Sequence, residues 1–331
     1  LVVIEDAGRG IEVSIILLTK NGDHYLEEVL DGIFSQRTRY HYEVLAVDSG
    51  SSDRTLEILD QYPVKLTAIE PTDFNHGETR NLGARLSDPE SRYLVYLTQD
   101  ATPAMGWLDA LIDPLESAEM VAGAFSRQIP RADCNPSLAR LMTTEWVQSG
   151  GSERIVKRVT DMNYYYRNRA GQAYFANTSS SVRKEIWAQF PFRRLDFAED
   201  FEWADRVLLA GHTVIYEPAS AVYHSHNYGL LEQVRQHFDH ARGMKRLFDP
   251  PNYRQVTLGS MIWGAFRECW NDLRYLRGRD SLSRSRKARH LAYSPWWHLS
   301  CNLGSYMGIK HEHLPGYFKR RLSRQRRLMQ E

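Results

Sequence analysis

Asp100 closes a short apolar run, YLVYLTQDATP over residues 93–103, in which Tyr93 to Leu97 has the pattern of a buried strand and Pro103 breaks it. A carboxylate at a strand end lies on the rim of a sheet, where ligands bind in open α/β folds. There it can hold a hard divalent cation, which in turn holds phosphate oxygens. The plain alternative is a loop acid that starts a turn. A second strand-end acid, Asp48, opens Asp48-Ser49-Gly50-Ser51-Ser52-Asp53. Small residues there let backbone N–H groups approach a ligand, and the acid can accept hydrogen bonds from a base or ribose. An ordinary turn with an Asp cap accounts for the same residues. The spacing is neither GxGxxG nor a P-loop, which speaks against a dinucleotide or Walker site. Glu199 and Asp200 are adjacent at a predicted helix start, so their side chains diverge by about 100° and only one faces a substrate. His224 and His226, two apart in an extended segment, share one face.

The elements that must position these groups alternate. Strands are predicted over residues 13–19, 42–47, 64–69, 93–97, 120–129, 172–182, 213–216 and 221–226. Helices are predicted over 25–34, 53–61, 78–86, 105–115, 198–209 and 230–247, followed by helical content over 256–276, 296–308 and 317–328. This alternation reads as a mostly parallel sheet with helices on both faces. Residues 131–169, with the cluster Tyr164-Tyr165-Tyr166, are less regular. They read equally as a second-substrate contact and as a solvated loop.

With 331 residues, 42% hydrophobic, the chain has ample material for a buried core. Mean hydropathy is −0.50 and no run of 18 apolar residues occurs, which argues against a spanning helix. The opening LVVIEDAGRG lacks a signal pattern, and its first residue, Leu1 rather than Met, leaves room for residues upstream. Cys134, Cys269 and Cys301 are odd in number and far apart, forming neither a disulfide framework nor a zinc spacing, as fits a reducing compartment. The net charge of +1 hides an asymmetry. Residues 274–331 hold 14 Lys and Arg against 3 Asp and Glu, a net of +11; residues 1–273 carry −10. No nucleic-acid motif accompanies the basic tail. Trp296, Trp297, Tyr306, Tyr317 and Phe318 lie among Lys319, Arg320, Arg321, Arg324, Arg326 and Arg327, a mixture suited to an anionic membrane face. A solvated face or an oligomer contact would share that composition.

Taken in order, VSIILLTKN, YEVLAVDSGSSDRT, FNHGETRNLGA, YLVYLTQDATP and AEDFEWADRVLLAGHTVIYEP resemble the signatures of family 2 glycosyltransferases with the GT-A fold. The wording FNHGETRN, LTQDATP and VYHSH is similar to bacterial rhamnosyltransferase-like members. The resemblance covers residues 11–230. It implies a GT-A (Rossmann-like) domain over 1–228 and a helical, basic appendage over 229–331. It implies an inverting, metal-dependent transfer of L-rhamnose from dTDP-L-rhamnose to a glycan or lipid-linked acceptor in cell-surface polysaccharide (O-antigen or capsule) synthesis. The expected location is cytoplasmic, peripheral on the inner membrane.

By the same resemblance, Thr19, Asn21, Asp48 and Asp53 line the nucleotide pocket, with Asp48 facing the base. Asn75, Gly77, Arg80 and Asn81 contact the nucleotide and its diphosphate, and Gln99 joins the donor-binding set. Arg80 offers fixed guanidinium donors to phosphate. Asp100 is the metal ligand; the family's first acidic position reads Thr98 here, which leaves one carboxylate. A late histidine completes the metal site, His224 before His226. The donors suit Mn²⁺ or Zn²⁺ by type, and sharing a diphosphate favours Mg²⁺ or Mn²⁺. Asp200 is the base and Glu199 its support. Three alternatives stand beside this reading. The donor can be a UDP-hexose or UDP-N-acetylhexosamine. A sugar nucleotidyltransferase would want a Gly-rich basic loop that LLTKNGDHY lacks. A non-catalytic carbohydrate-binding protein would not need the strand-end acid, the Glu-Asp pair and the late histidine together.

Overall fold

The computed structural model describes residues 10–145, 150–279 and 282–324. Arg326 and Arg327 lie outside them. Apolar β-branched runs form the centre. Strands β1 (Val13–Thr19), β2 (Tyr42–Asp48), β3 (Val64–Ala68) and β4 (Tyr93–Thr98) pair in parallel in the order β3-β2-β1-β4. In this register Thr19 lies opposite Asp48, and Leu18 opposite Thr98. Three strand ends therefore open on one rim.

The sheet continues through β8 (Ser179–Arg183), β6 (Val121–Ile129) and β9 (Thr213–Tyr223) to β5 (Thr102–Pro103), with β7 (Ile155–Lys157) on β9. β8 runs antiparallel to both β4 and β6, while β6 and β9 are parallel. Parallel pairing carries most of the ladder. The strand expected over 172–182 begins only at Ser179. The two extended segments expected at 213–226 are one strand, β9. Its register slips at Ser126 and Arg127, so that Pro218, Ala219 and Ser220 bulge out. Buried hydroxyls fasten this bulge, with Ser126 Oγ 2.7 Å from both Ser179 and Ser220.

Helices cover both faces. Leu26–Phe34 and Trp107–Ser117 bury Val29, Leu30, Ile33, Leu108 and Leu111 against Val13, Ile15, Tyr93 and Val95. On the other face, His76–Leu86 and Glu199–Leu209 bury Ala84, Trp203, Val207 and Leu208 against Ile16, Leu94 and Tyr96. Burial of this kind contributes about 25 cal/mol per Å² of apolar surface and is the main driving term.

Beyond β9 the chain is helical: Leu230–Phe248, Leu258–Arg277, Arg284–Ile309 and Gly316–Leu322. Leu258–Arg277 is fastened to the α/β body by a buried polar cluster. Asp272, fully buried, accepts hydrogen bonds from Ser137, Arg140 (2.7 Å), Ser294 (2.5 Å) and His298 (2.9 Å). Burial alone would raise this carboxyl, but the nearby His290, 3.9 Å away, and hydrogen bonds from His298, Ser137 and Ser294 outweigh it and hold it far below the ordinary range. Within the aromatic tail, Trp296, Tyr317 and Phe318 are exposed, whereas Trp297 is 2% exposed and belongs to the packing. It is removed from the expected membrane face. The three cysteines are free.

Candidate active site

Asp100 sits in the turn between β4 and β5, and His224 directly follows β9. β5 pairs Thr102 with Tyr223, so the antiparallel register itself brings this turn beside the histidines. Asp100 Oδ1 is 3.5 Å from His224 Nε2, and Oδ2 is 3.7 Å from His226 Nε2. Their ligand atoms all fall within 4.8 Å of one another, close enough for one ion. His224 Nδ1 lies 3.0 Å from Gln128 Oε1, which leaves Nε2 for the site. His226 stacks flat on Tyr228, 4.8 Å between centroids, and the Arg324 guanidinium lies 4.5 Å over the other partner, the Tyr228 ring.

Burial would raise the Asp100 carboxyl, but His224, His226 and a hydrogen bond from Thr98 hold it below its ordinary value. Burial lowers both imidazoles, His226 to about 4 with help from neighbouring His224. At neutral pH the trio thus offers one carboxylate and two neutral imidazoles, a donor set that fits a divalent transition metal.

Arg131 belongs to this corner, and the sequence reading missed it. Its Nη2 donates to the Asp100 carbonyl at 3.0 Å and to Thr102 Oγ1 at 2.8 Å, and Nη1 bonds the Glu28 carboxylate at 2.9 Å. The guanidinium lies 3.9 Å over the Tyr25 ring. An arginine just after a strand in an irregular segment carries no local signal of this role.

The predicted nucleotide residues share the adjoining rim. Asp48 is buried and accepts from Thr19 Oγ1 (2.9 Å), Gly50 N (2.9 Å), and the backbone and hydroxyl of Ser51. Its carboxylate holds the turn in shape. Asn21, at φ 46°, accepts from Ser52 N at 2.8 Å. Asp53 accepts from the backbone and hydroxyl of Thr55 at the start of the next helix, and those bonds, with one from Asp23 N, outweigh burial and keep its pKa low. Gln99 bridges strand ends, accepting from Lys20 N at 2.8 Å and donating to Lys20 O at 2.9 Å. A Cβ at Gly22 would stand 2.4 Å from Gln99 Oε1, so a larger residue there would push the Gln99 amide off Lys20.

Asn75, Gly77, Arg80 and Asn81 face the segment that leads into Glu199. Asn75 caps its helix and donates to Leu195 O at 2.8 Å. Asn81 donates to Phe192 O at 2.8 Å and accepts from Phe192 N and Trp187 Nε1. A Cβ at Gly77 would stand 2.3 Å from Arg193 O. Arg80 is buried and bonds Glu199 Oε1. The Arg80 guanidinium, expected on phosphate, is thus paired within the protein.

Glu199 and Asp200 diverge, as their adjacency requires. The buried Glu199 would be raised by desolvation, but Arg80 and His76 more than offset this, so it stays charged. Asp200 accepts from Asn177 N at 3.3 Å and Phe201 N at 2.9 Å. Burial and the Glu199 charge push its pKa up to about 7. Ala198, just before the pair, has φ 62° and ψ 37°, a left-handed conformation that is costly for a residue with a Cβ. Asn177 is buried; its Oδ1 accepts from Ser180 Oγ at 2.8 Å, and its side chain helps hold the Glu199 carboxyl low. It was overlooked because its segment read as strand; as a loop, it directs a backbone N–H at Asp200.

The family model Glycosyl transferase family 2 matches residues 14–174. The O-antigen chain rhamnosyltransferase RfbN of Salmonella typhimurium is 30% identical over 236 residues, covering 69% of this chain and 71% of that protein. WbaN of Salmonella anatum, another O-antigen chain rhamnosyltransferase, is 30% identical over 62% of this chain and 64% of its own. This chain belongs to glycosyltransferase family 2. Among solved structures, a mannosyltransferase from Pyrobaculum calidifontis in complex with GDP-Man and Mn²⁺ has a TM-score of 0.55 at 18% identity, over 93% of this chain and 90% of that one. TarS residues 1–349 of S. aureus in complex with UDP-GlcNAc has a TM-score of 0.53 at 15% identity, over 91% and 92%. These likenesses show the GT-A fold. The family 2 enzyme described here is thus a glycosyltransferase, with its strand-end acid, late histidines and Glu-Asp pair on one rim. None of its helices, among the described residues, is long and apolar enough to cross a membrane.

Proposed function

We propose that this glycosyltransferase moves L-rhamnose from dTDP-L-rhamnose to a hydroxyl of a glycan or lipid-linked acceptor in bacterial cell-surface polysaccharide synthesis, with inversion. The observation that carries the donor is the 30% identity to an O-antigen rhamnosyltransferase over 69% of the chain. Residues 1–228 act as the catalytic unit and 229–331 as a helical appendage.

Asp100, His224 and His226 would hold Mn²⁺ or Mg²⁺, which supplies positive charge for the departing diphosphate. Thr19, Asn21, Asp48, Asp53 and Gln99 shape the nucleotide pocket. Asn75, Gly77, Arg80 and Asn81 act through the 192–200 segment they hold. Asp200 takes the proton of the acceptor hydroxyl. The acceptor oxygen then bonds to the anomeric carbon while the bond from that carbon to the diphosphate breaks, and its electron pair leaves with dTDP. Glu199 remains paired with Arg80, and its fixed charge keeps Asp200 basic enough to accept a proton near neutral pH. The acceptor is presented at an anionic membrane surface, where the basic C-terminal region is attracted.

A panel of nucleotide sugars tests the reading. Turnover should be highest with dTDP-L-rhamnose, vanish in EDTA and return with Mn²⁺ or Mg²⁺. Preference for a UDP-hexose would overturn the donor, and full activity of Asp100→Ala in excess chelator would overturn the metal site.

A further inference from the structure

The helix Leu258–Arg277 turns aromatic residues toward solvent. Its packed face carries Met261, Ala265, Asp272 and Leu276, all buried. Its outer face carries Trp263, Phe266 and Trp270, which are 72%, 62% and 56% exposed. Spacings of three and four put them on one stripe, and Arg274 and Arg277, both exposed, continue it. Leu258 and Ile262 flank it and are exposed as well. Isolated exposed apolar residues are ordinary, but a continuous aromatic stripe ending in cations is a binding surface.

We infer that this stripe docks the enzyme on an anionic lipid bilayer. Trp263, Phe266 and Trp270 seat at the boundary of headgroups and acyl chains, and Arg274 and Arg277 meet the anionic headgroups. Charge identifies the occupant. From Arg274 onward the chain carries a net of +11, complementary to anionic lipid. A second copy would bring a second basic region of the same net charge to the contact. The helix is not apolar enough to cross the bilayer, so it lies on the surface. Asp272, on the opposite face, fixes the stripe relative to the catalytic rim through Ser137 and Arg140, a few residues past Arg131. The inference rests on the membrane-presented acceptor proposed above and names the surface that reaches it.

Flotation of the full chain with phosphatidylglycerol and with phosphatidylcholine vesicles tests it, and no donor is needed. Wild type should bind phosphatidylglycerol vesicles, more weakly as salt rises. The triple variant Trp263→Ala, Phe266→Ala, Trp270→Ala should lose about tenfold or more in partitioning. Arg274→Gln with Arg277→Gln should lose about tenfold and much of the salt dependence. These positions are exposed, so both variants should keep the wild-type circular dichroism spectrum and melting midpoint. Unchanged vesicle binding by both variants overturns the proposal, as does wild type binding neither lipid. Sedimentation showing a dimer that the triple variant dissociates, with vesicle binding intact, would reassign the stripe to contact between copies. The nucleotide-sugar panel is run without vesicles, so a wrong donor leaves this result standing, and failed docking leaves the donor result standing.

Discussion

Two desolvated aspartates, Asp200 in the candidate site and the fully buried Asp272 in the C-terminal helices, are pushed in opposite directions. Asp200 accepts two backbone N–H bonds and stands beside the charged Glu199, and its pKa rises to about 7. Asp272 accepts from two serines, a histidine and an arginine, and its pKa falls far below the ordinary carboxylate range. Desolvation acts on both in the same direction. The number of side-chain donors and the sign of the nearest charge decide the outcome. A carboxylate saturated with donors is a fastening; one left short of them, beside a like charge, keeps affinity for a proton and suits it to proton transfer.

The most severe way to break this contrast is Asp200→Asn. Steady-state kinetics should show kcat lower by about 10²- to 10⁴-fold, the usual contribution of a general base. Melting should be unchanged or raised at neutral pH. The sign follows from the raised pKa: protonated Asp200 favours the folded state, and that contribution fades as pH rises toward about 7. Near-normal kcat in Asp200→Asn would place the base elsewhere, and loss in Glu199→Gln alone would exchange the two roles.

Asp272→Ala should do the reverse. Removing it leaves Arg140 buried beside Glu268 with a donor unmatched, a change expected to cost about 3–5 kcal/mol in denaturant unfolding. Turnover per folded molecule should stay close to wild type. Because the folded pKa of Asp272 is depressed, its stabilisation is fully present above about pH 4 and is lost on further acidification. A catalytic defect without destabilisation would remove the distinction between the two sites.

The smallest effect sharpens the comparison. The kcat profile should fall on the acid side of about pH 7, as Asp200 becomes protonated. In Glu199→Gln the like charge is gone and Arg80 is left without its partner, so the acid limb should move to lower pH, by about one unit on the scale of a nearby charge. A limb that does not move would show that Glu199 has no hold on Asp200.

Much of this was legible in the chain itself. Buried runs such as YEVLAV and YLVYLT announce strands because the pattern is local, and Asp48 and Asp100 follow them at the rim. That the Glu199 and Asp200 side chains diverge was readable, since adjacent helical residues point about 100° apart. Other features depended on contacts distant in sequence. Arg80 looked free for phosphate, yet its partner Glu199 lies on another helix. Asn177 read as strand because QAYFANTSSSV is apolar and small, whereas pairing with β4 and β6 begins only at Ser179. Trp296 and Trp297 are neighbours in a basic segment, and only helix packing decides that one is exposed and the other buried. The sequence by itself determined which residues carry charge, imidazole or apolar bulk and where the four parallel strands β1 to β4 begin. Tertiary structure alone decided their partners, because the slip in β9 and its pairing with β5 place His224 beside Asp100, and solvent exclusion then sets the proton affinity of each group.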